Sequence, residues 1–330
     1  MNRVLVPTFS EPPVRPVGGA VLALGGETMG TTWSVKLVAP PTANAQALTA
    51  MAQHELDLVV REMSPWEPLS DLSRFNRAAP GSWSALPPAF AKVLRRAVEI
   101  AAETNGAFDP TLGALVDLWG FGPRPFSGAP PERDAVERLR QDAGWRRVTL
   151  DGDALFQPGG LKVDLNGVAK GFAVDQVAAA LERSGARSYL VEVGGELRGV
   201  GAKPDGQPWW VELERPPVAN EGARTVAALH GLAVATSGDY RRFFEHDGRR
   251  YAHTLDPASA APVAGGTVSV SVLAETCMDA DAYATALTVM APADALAFAA
   301  GKGLAALILS RGPHGLEERL SPALSAMLDE

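Results

Sequence analysis

The chain has 330 residues, of which 46% are hydrophobic and 21% are charged, and its formal net charge at pH 7 is −8. This composition predicts a packed globular core, and the acidic balance without a basic run argues against a general nucleic-acid-binding protein. The single cysteine, Cys277, excludes an intramolecular disulfide and a cysteine-based zinc site.

The first 20 residues are expected to be a disordered or loosely attached lead, followed by one domain of two intimate lobes over residues 21–330. The start of the chain, Met1–Val17, contains four prolines and lacks the charged start and apolar core of a signal peptide. No stretch approaches the roughly 18 continuous apolar residues of a membrane span. The expected location is therefore cytoplasmic for the chain as given, with a periplasmic location left open if an export signal has been removed.

In chain order, the first predicted elements are a strand region and three helices. Polar and apolar residues alternate over Gly25–Leu37, which is typical of a half-buried strand. Apolar residues then recur at helical spacing over Leu48–Met63 and over Pro87–Glu103. The charged stretch Glu132–Ala143 predicts a further helix, and Asp151-Gly152 after it is a hairpin signal.

A strand end, a tight turn and a long helix are predicted around Val163–Gly171. Apolar and polar residues alternate over Leu161–Leu165, Asn166-Gly167 is a turn dipeptide, and a helical pattern follows. Asp164 would then lie beside Lys170 and the free amides of the first helical turn, a combination that suits a phosphate group and its metal ion. The alternative is a capped helix with a solvated Lys170, and this stretch alone does not separate the two.

The second half of the chain alternates hairpin strands with helices. Strands are predicted over Tyr189–Val193, Leu197–Gly201, Pro208–Leu213, Thr225–Thr236 with a break at His230-Gly231, Arg249–Thr254, Thr267–Leu273 and, as the last strand, Leu304–Leu309, and helices over Asp279–Met290 and Pro292–Ala300. Pro204-Asp-Gly206 predicts that the second and third of these strands form a hairpin. Because no regular βαβ period connects the elements, the sequence favours an α+β fold with mainly antiparallel sheets.

Asp281 and Thr285 are four residues apart on a predicted helix, so their side chains lie on one face. A carboxylate and a hydroxyl are hard oxygen donors that suit Mg²⁺, which keeps few protein ligands and completes its shell with water and substrate phosphate. The alternative is structural: Asp279 or Asp281 caps the helix N-terminus, and Thr285 bonds back to the preceding turn. Spacing alone leaves both interpretations open.

His253 follows a predicted strand, which makes it a candidate general base near neutral pH. An isolated histidine is more often a hydrogen-bonded structural residue, and nothing local decides between the two. The turn Thr236–Tyr240 is a candidate phosphate or ribose cradle, or a hairpin turn capped by Asp239. The chain contains no Rossmann dinucleotide fingerprint, no P-loop and no Gly-x-Ser-x-Gly elbow, so the sites that these motifs form are not supported.

Eight sequence blocks follow one another along most of the chain. They are Glu27-Thr-Met-Gly-Thr-Thr32, Met63-Ser-Pro-Trp66 with Leu72-Ser-Arg-Phe-Asn76, Gly106-Ala-Phe-Asp-Pro110 with Leu118-Trp-Gly-Phe-Gly122, Val163-Asp-Leu-Asn-Gly-Val-Ala-Lys-Gly171, Val191-Glu-Val-Gly-Gly195, Ala235-Thr-Ser-Gly-Asp-Tyr240, Tyr251-Ala-His-Thr-Leu-Asp-Pro257 and Ala280-Asp-Ala-Tyr-Ala-Thr-Ala-Leu287. Each block alone is a modest signal. Together, in this order, they resemble the ApbE family of flavin transferases, the FAD:protein FMN transferases, over about Gly26–Leu309.

This resemblance implies a two-lobed α+β fold with FAD in a central cleft. It implies FAD contacts from Met29, Trp66, Ala107, Phe108, Asp109, Asp164 and Lys170, Mg²⁺ ligands from Asp281, Thr285 and the backbone carbonyl of Gly167, and a catalytic histidine at His253. The implied reaction cuts the pyrophosphate of FAD and attaches FMN, through a phosphoester, to a Thr or Ser hydroxyl of a flavinylated redox protein. AMP is released.

The chain departs from the family pattern at a few positions. Trp66 stands where the family often has tyrosine, and Ala260 where it usually has glycine. Two other functions stay open. One is an Mg²⁺-dependent FAD pyrophosphatase, in which water replaces the acceptor hydroxyl and FMN and AMP are released. The other is a non-catalytic FAD-binding or flavin-storage protein, which would need a defective metal or base position, whereas the chain keeps Asp281, Thr285 and His253.

Overall fold

The structure, a computed structural model, describes residues 3–7, 12–216, 224–264, 266–313 and 315–328. The helices in these ranges are α1 (Ala45–Met63), α2 (Asp71–Asn76), α3 (Pro88–Glu103), α4 (Gly113–Leu118), α5 (Arg133–Arg140), α6 (Ala169–Arg183), α7 (Cys277–Val289), α8 (Pro292–Lys302) and α9 (Pro322–Ser325), with a short 3₁₀-helix at Trp145–Arg147. The strands are β1 (Arg3–Leu5), β2 (Ala20–Thr28), β3 (Thr31–Ala39), β4 (Ser82–Ala85), β5 (Leu150–Asp151), β6 (Ala154–Gln157), β7 (Tyr189–Val193), β8 (Glu196–Val200), β9 (Trp209–Glu212), β10 (Thr225–Leu229), β11 (Leu232–Gly238), β12 (Phe243–His246), β13 (Arg249–Ala252), β14 (Leu255–Asp256), β15 (Ala261–Pro262), β16 (Thr267–Ala274), β17 (Ala305–Gly312) and β18 (Gly315–Leu320).

An eight-stranded sheet forms the centre of the protein, in the order β18-β17-β16-β11-β8-β7-β3-β2. Every neighbouring pair in this sheet is antiparallel. The predicted α+β class and the mainly antiparallel sheets are therefore confirmed. Within the described ranges, no helix combines the length and the apolar character needed to cross a lipid bilayer.

The central strands are buried on both faces. In β17, Ala306 and Ile308 belong to the main core beneath the helices, whereas Ala305, Leu307 and Leu309 belong to a second core on the opposite face. Because successive side chains of a strand point to opposite faces, a strand covered on both sides is apolar at every position. This explains the continuous apolar run that predicted a buried strand here.

A small sheet of β9, β10 and β1, together with α9, covers the second core. β1 pairs in parallel with β10, and Leu5 is fully buried. Arg3–Leu5 is thus a packed strand, which corrects the expectation of a loosely attached lead for these three residues. Residues 1–2 and 8–11 of that lead lie outside the described part of the chain, and the domain boundary at residue 21 stays a prediction.

Two strand predictions near the N-terminal half need correction. The region Gly25–Leu37 is part of a hairpin of β2 and β3, because the chain reverses at Met29 and Gly30, whose φ angles are 50° and 70°. The stretch Leu161–Leu165 is not a strand. It makes one isolated parallel bridge, Lys162 with Leu112, and the Asn76 side-chain amide bonds both the carbonyl and the amide of Val163, each at 2.8 Å.

Two pairings in the C-terminal half also differ from the prediction. The chain reverses around Pro204-Asp-Gly206, where Ala202 and Pro208 form an isolated antiparallel bridge, but β8 and β9 lie in different sheets, so the prediction that these two strands pair as a hairpin is wrong. β9 pairs with β10 instead. Leu304–Leu309 is not the last strand either, since β18 follows at the sheet edge. Its sequence Glu317-Glu-Arg319 hides the strand pattern, and charged edges of this kind discourage further pairing.

The β12–β13 hairpin is a separate two-stranded sheet that packs on the segment after α4. Tyr251 stacks on Trp119, with ring centroids 5.8 Å apart, and Phe244 stacks on Phe121 at 5.6 Å. Such aromatic pairs add to the stability gained from burial alone. They hold the hairpin in place and thereby position His253, which follows β13 directly.

The N-termini of α6 and α7 cap each other. Asp281 of α7 accepts the amide of Gly171 at 3.0 Å, and Asp175 of α6 accepts the amides of Cys277 and Met278 at 3.1 and 3.0 Å. Free amides at a helix start need such acceptors. The two helices approach closely because Gly171 has no side chain: a Cβ there would lie 2.2 Å from the Cys277 carbonyl oxygen.

Gly171→Ala is expected to lower the free energy of unfolding by about 1–3 kcal/mol, since the added methyl group must push two helix backbones apart. At a solvent-exposed helix position, alanine stabilises the helix by about 1 kcal/mol relative to glycine. A loss of stability in Gly171→Ala would therefore report the close contact between α6 and α7. Gly301→Ala in α8 is the matched control, because nothing lies within 4 Å of a Cβ there. Chemical denaturation measures both variants, and a Gly171→Ala protein as stable as the wild type would contradict the contact.

Candidate functional site

Asp281 lies where α6 meets α7. The N-cap of α7 is Thr276, whose hydroxyl accepts a hydrogen bond from the Asp279 amide, so the interpretation of Asp279 or Asp281 as the cap of this helix is wrong. Asp281 is 3% exposed, and one of its oxygens accepts the Gly171 amide. Burial raises the pKa of this carboxyl group, and the Lys170 ammonium and the Gly171 amide oppose the rise.

Gly167 lies beside Thr285, which shares a helix face with Asp281. Thr285 follows Asp281 by one helical turn on the same face. A Cβ on Gly167 would lie 3.0 Å from Thr285 Oγ1, and Ser237 Oγ is 3.2 Å from the same atom. Among the described residues, no three His, Cys, Asp or Glu side chains form a metal-binding group. One carboxylate, one hydroxyl and one backbone carbonyl instead fit Mg²⁺ that draws its other ligands from water and phosphate.

Lys170 forms an ion pair with Glu196, which excludes the solvated alternative. Its ammonium donates to Glu196 Oε1, and Arg241 approaches the same oxygen at 4.0 Å. Glu196 is 1% exposed, and burial raises its pKa against the pull of Lys170. Burial also works to lower the pKa of Lys170, but Glu196 and Asp281 outweigh it and raise that pKa above its usual value. The result is a fixed positive charge at the start of α6.

Glu196, Arg241 and Arg242 are residues of this site that the sequence interpretation missed. For Glu196, the available signal was a charged residue directly after Gly194-Gly195, at the start of a strand. Its Oε2 atom is buried without a hydrogen-bond partner among the described residues, so the carboxylate keeps acceptor capacity inside the cleft. For Arg242, the signal was an arginine pair in an acidic chain. Its guanidinium lies 5.8 Å from the ring centroid of Trp66 and donates to the Phe121 carbonyl at 3.2 Å.

Two further predicted carboxylates fix the turns that carry them. Asp164 accepts the backbone amide of Asn166 at 2.8 Å and its side-chain amide at 3.1 Å. Asp109 accepts the amides of Thr111 and Trp145 at 2.9 and 3.0 Å. Burial raises the pKa of both carboxyl groups, and these hydrogen bonds oppose the rise. Both residues are therefore well ordered, and their contacts with FAD stay predictions.

His253 is held by the backbone of the opposite strand. Its amide donates to the Arg242 carbonyl at 3.0 Å, and its Nδ1 lies 3.2 Å from the same oxygen. Because a carbonyl only accepts, Nδ1 carries the proton and Nε2 of the neutral ring carries the lone pair. Burial lowers the pKa of His253 to about 4, and the charges of Lys170 and Arg241 add to this effect. The ring is therefore neutral at pH 7.

The other predicted FAD-binding residues lie on loops. The Phe108 ring is buried, and a Cβ on Gly167 would be 3.2 Å from it. Ala107 precedes it in the turn after α3. Trp66 is 43% exposed in the turn between α1 and α2, and Met29 occupies the β2–β3 turn. The structure thus places Phe108 beside Gly167, one of the predicted metal ligands. It places Trp66 near Arg242, whose carbonyl contacts His253.

Ala260 occupies a position where the backbone φ angle is 54°, a left-handed conformation that glycine adopts more readily than other residues. Its carbonyl accepts the indole N–H of Trp119 at 2.9 Å, and its side chain is fully buried. The loop after His253 therefore keeps a defined shape with alanine at this position.

A model of the ApbE family matches residues 29–308 of the chain. The FAD:protein FMN transferase of Vibrio cholerae serotype O1 is 36% identical over 309 residues, which cover 93% of this chain and 92% of the relative. The FAD:protein FMN transferase of Haemophilus influenzae is 36% identical over 324 residues, which cover 94% and 92%. The Escherichia coli K12 protein of the same name is 32% identical and covers 93% of this chain and 89% of its own length.

Two solved structures extend this similarity to the fold. The Pseudomonas stutzeri flavinyl transferase ApbE, apo form, has a TM-score of 0.87 at 36% identity, with 94% of this chain and 97% of that chain covered. The flavin transferase ApbE from Vibrio cholerae has a TM-score of 0.87 at 34% identity, with 94% and 100% covered. These similarities confirm the resemblance and the fold class predicted from the sequence.

Glu196→Gln is expected to lower the free energy of unfolding by about 3 kcal/mol, because it leaves the Lys170 ammonium without its compensating carboxylate. The double variant Lys170→Met/Glu196→Gln removes both charges and should recover most of this loss. Glu212→Gln is the control, since Glu212 pairs with Arg224 at the exposed surface and should change stability by less than about 1 kcal/mol. Urea denaturation of the wild type, Glu196→Gln, Lys170→Met, the double variant and the control measures this, and a double variant whose loss equals the sum of the two single losses would argue against the buried pair.

Proposed function

The chain belongs to the ApbE family, and on that premise we propose that it is an FAD:protein FMN transferase. The hydroxyl oxygen of an acceptor Thr or Ser forms a bond to the phosphorus of the FMN half of FAD. The bond from that phosphorus to the bridging oxygen breaks, and AMP leaves with this oxygen. The hydroxyl proton passes to His253 and then to solvent. FAD is therefore a substrate that is cut, not a cofactor that is reduced.

One observation supports this proposal: at the start of α6, the Lys170 ammonium pairs with Glu196, and the amide of the next residue, Gly171, donates to Asp281. Phosphoryl transfer asks a protein mainly for in-line positioning and for neutralisation of charge. Lys170 and the first turn of α6 would supply positive charge. Glu196 holds the ammonium in place, so it is ready for the pyrophosphate oxygens before FAD arrives.

Mg²⁺ is the proposed metal, with Asp281, Thr285 and the Gly167 carbonyl as its protein ligands. When bound, it supplies Lewis-acid neutralisation of the pyrophosphate charge. Asp281 is suited to this role because the Gly171 amide occupies only one of its two oxygens. The proposed FAD contacts are Met29, Trp66, Ala107, Phe108, Asp109, Asp164 and Lys170, and the exposed Trp66 ring offers a face on which a flavin or adenine ring can stack.

His253 is the proposed general base, acting through Nε2. The Arg242 carbonyl fixes the tautomer, and the depressed pKa keeps the lone pair available at neutral pH. An imidazole with a pKa of about 4 is a weak base on its own. The negative pyrophosphate of bound FAD favours the charged ring, so substrate binding raises the pKa toward the working range.

Incubation of the protein with FAD, Mg²⁺ and a Thr-bearing acceptor, followed by intact-mass analysis, tests this function. The expected result is an acceptor that has gained FMN, with one AMP released per transfer. FMN and AMP released beside an unmodified acceptor would instead identify a pyrophosphatase. FAD bound without cleavage would identify a storage protein, and either result overturns the proposal.

Asp281→Asn is expected to reduce the transfer rate by about 10²-fold or more, since it removes the charged metal ligand. Asparagine keeps an oxygen for the Gly171 amide, so the fold and FAD binding should persist. Asp279→Asn is the matched control on the same helix. Asp279 is not a predicted metal ligand, and its carboxylate instead pairs with Arg96 at 2.7 Å. Single-turnover assays over a range of Mg²⁺ concentrations measure the effect, and a wild-type rate at limiting Mg²⁺ would refute the metal assignment.

His253→Ala is expected to reduce the saturated transfer rate by about 10²–10⁴-fold while FAD and Mg²⁺ binding persist, as is typical when a general base is lost. His246→Ala on the same hairpin is the control. The His246 Nε2 atom lies 3.3 Å from a carboxylate oxygen of Asp247, and His246 has no role in the proposed reaction. The FAD dissociation constant and the single-turnover rate should be measured together. Weak FAD binding with a normal saturated rate would make His253 a ligand contact and not a base.

A further inference from the structure

The Glu196 carboxylate has one paired oxygen and one unpaired oxygen. Its Oε1 atom accepts a hydrogen bond from the Lys170 ammonium and lies 4.0 Å from the Arg241 guanidinium. Its Oε2 atom is buried and has no hydrogen-bond partner among the described residues. Because Glu196 is 1% exposed, bulk water does not replace the missing bond. A buried acceptor without a donor costs stability, so its presence indicates a donor that the chain itself does not provide.

The unpaired oxygen lies near the start of β3. Gly194 occupies the turn between β7 and β8, and a Cβ there would be 3.6 Å from Glu196 Oε2 and 3.4 Å from Thr31 Oγ1. The Gly194 amide also donates to the Thr32 carbonyl at 3.1 Å, which ties this turn to β3. Met29, a proposed FAD contact, lies two residues before Thr31 in the β2–β3 turn. Glu196 Oε2 is therefore close to a turn to which the proposed function assigns FAD binding.

A group bound at Oε2 must also lie close to the Lys170 ammonium, because both contact the same carboxylate. Lys170 already compensates the charge of Glu196, so a neutral donor suits Oε2 better than a second cation. In the proposed function Lys170 binds the pyrophosphate of FAD. Two sugars flank that pyrophosphate, the ribityl chain on the flavin side and the ribose on the adenine side. Their hydroxyl groups are the donors of FAD that lie nearest to the phosphates.

We propose that Glu196 Oε2 accepts a hydrogen bond from one sugar hydroxyl of FAD, and that Glu196 thereby determines specificity for a dinucleotide that carries this hydroxyl. The inference rests on the proposed function and deepens it. A hydroxyl that donates to a carboxylate forms a charge-assisted bond, which is stronger than a bond between neutral groups. The ion pair with Lys170 fixes the carboxylate before FAD arrives, so little ordering is left to binding. A dinucleotide without the hydroxyl leaves the buried acceptor unpaired and binds more weakly.

Four FAD analogues test this, each lacking one hydroxyl: the 3′- or 4′-hydroxyl of the ribityl chain, or the 2′- or 3′-hydroxyl of the adenosine ribose. Quenching of flavin fluorescence measures each dissociation constant without added Mg²⁺. One analogue should bind the wild type about 10–100-fold more weakly than FAD, and the others should stay within about threefold of FAD. The sensitive analogue identifies which of the two sugars provides the donor. Affinities within about threefold of FAD for all four analogues would overturn the proposal.

Glu196→Gln is expected to reduce the penalty of the sensitive analogue to less than about threefold. Glutamine keeps the shape of the side chain but loses the charge, and Lys170 competes for its single oxygen. Because this variant leaves Lys170 unpaired, Lys170→Met/Glu196→Gln is the second test, and it should show the same small penalty. FAD itself should bind the double variant more weakly, so the measured quantity is the ratio of the two dissociation constants, analogue to FAD.

Glu192→Gln is the matched control. Glu192 lies on the strand before the same turn and accepts the Gly195 amide at 2.8 Å, so this variant removes a neighbouring carboxylate and should keep the wild-type ratio. A ratio that stays at the wild-type value in both Glu196 variants, or one that falls equally in Glu192→Gln, would overturn the proposal. Failure of the proposed function would look different: the protein would still distinguish the analogue from FAD in binding, but no acceptor would gain FMN.

Discussion

The mutual capping of α6 and α7 is the constraint on which the site depends. Two helix N-termini that meet bring two partial positive charges together, and this is unfavourable unless anionic groups lie between them. Asp175 and Asp281 are those groups. Asp175 belongs to α6 and caps α7, and Asp281 belongs to α7 and caps α6. The same contact stabilises the charged form of Asp281, which burial opposes. The architecture that buries this carboxylate therefore also supplies a hydrogen bond that favours its charged form.

The charged side chains around this contact are paired before any substrate arrives. Lys170 pairs with Glu196, and Arg241 pairs with Glu214 and approaches Glu196 at 4.0 Å. Asp281 forms no ion pair within the described ranges, and its hydrogen-bond donor is the Gly171 amide. In the proposed function, Mg²⁺ and the pyrophosphate of FAD would compensate each other, so the low-dielectric interior would penalise the pair far less than either partner. This would be a physical reason for a metal site with only one carboxylate.

Local patterns in the sequence were enough for much of the fold but not for how its parts meet. The period of three to four residues located α1 and α3, and the helical spacing of Asp281 and Thr285 put them on one face, because both depend on neighbours in the chain. Glu196 was missed because its role depends on its ion pair with Lys170, which is 26 residues away along the chain. Arg242 likewise depends on Trp66 and Phe121. The strand pairings of β8, β9 and β18 are also choices between distant segments, which no local period encodes.

Arg241 and Arg242 connect the two halves of the site through one peptide unit. Arg241 turns toward Glu196 and donates to the Gly194 carbonyl at 2.9 Å, on the side of the proposed phosphate site. Arg242 turns toward Trp66, and its carbonyl sets the tautomer of His253. A shift of the β12–β13 hairpin therefore moves the base and a cation of the phosphate site together. The hairpin is not part of the central sheet and stacks its aromatic rings on Trp119 and Phe121, so these contacts help to set the position of His253.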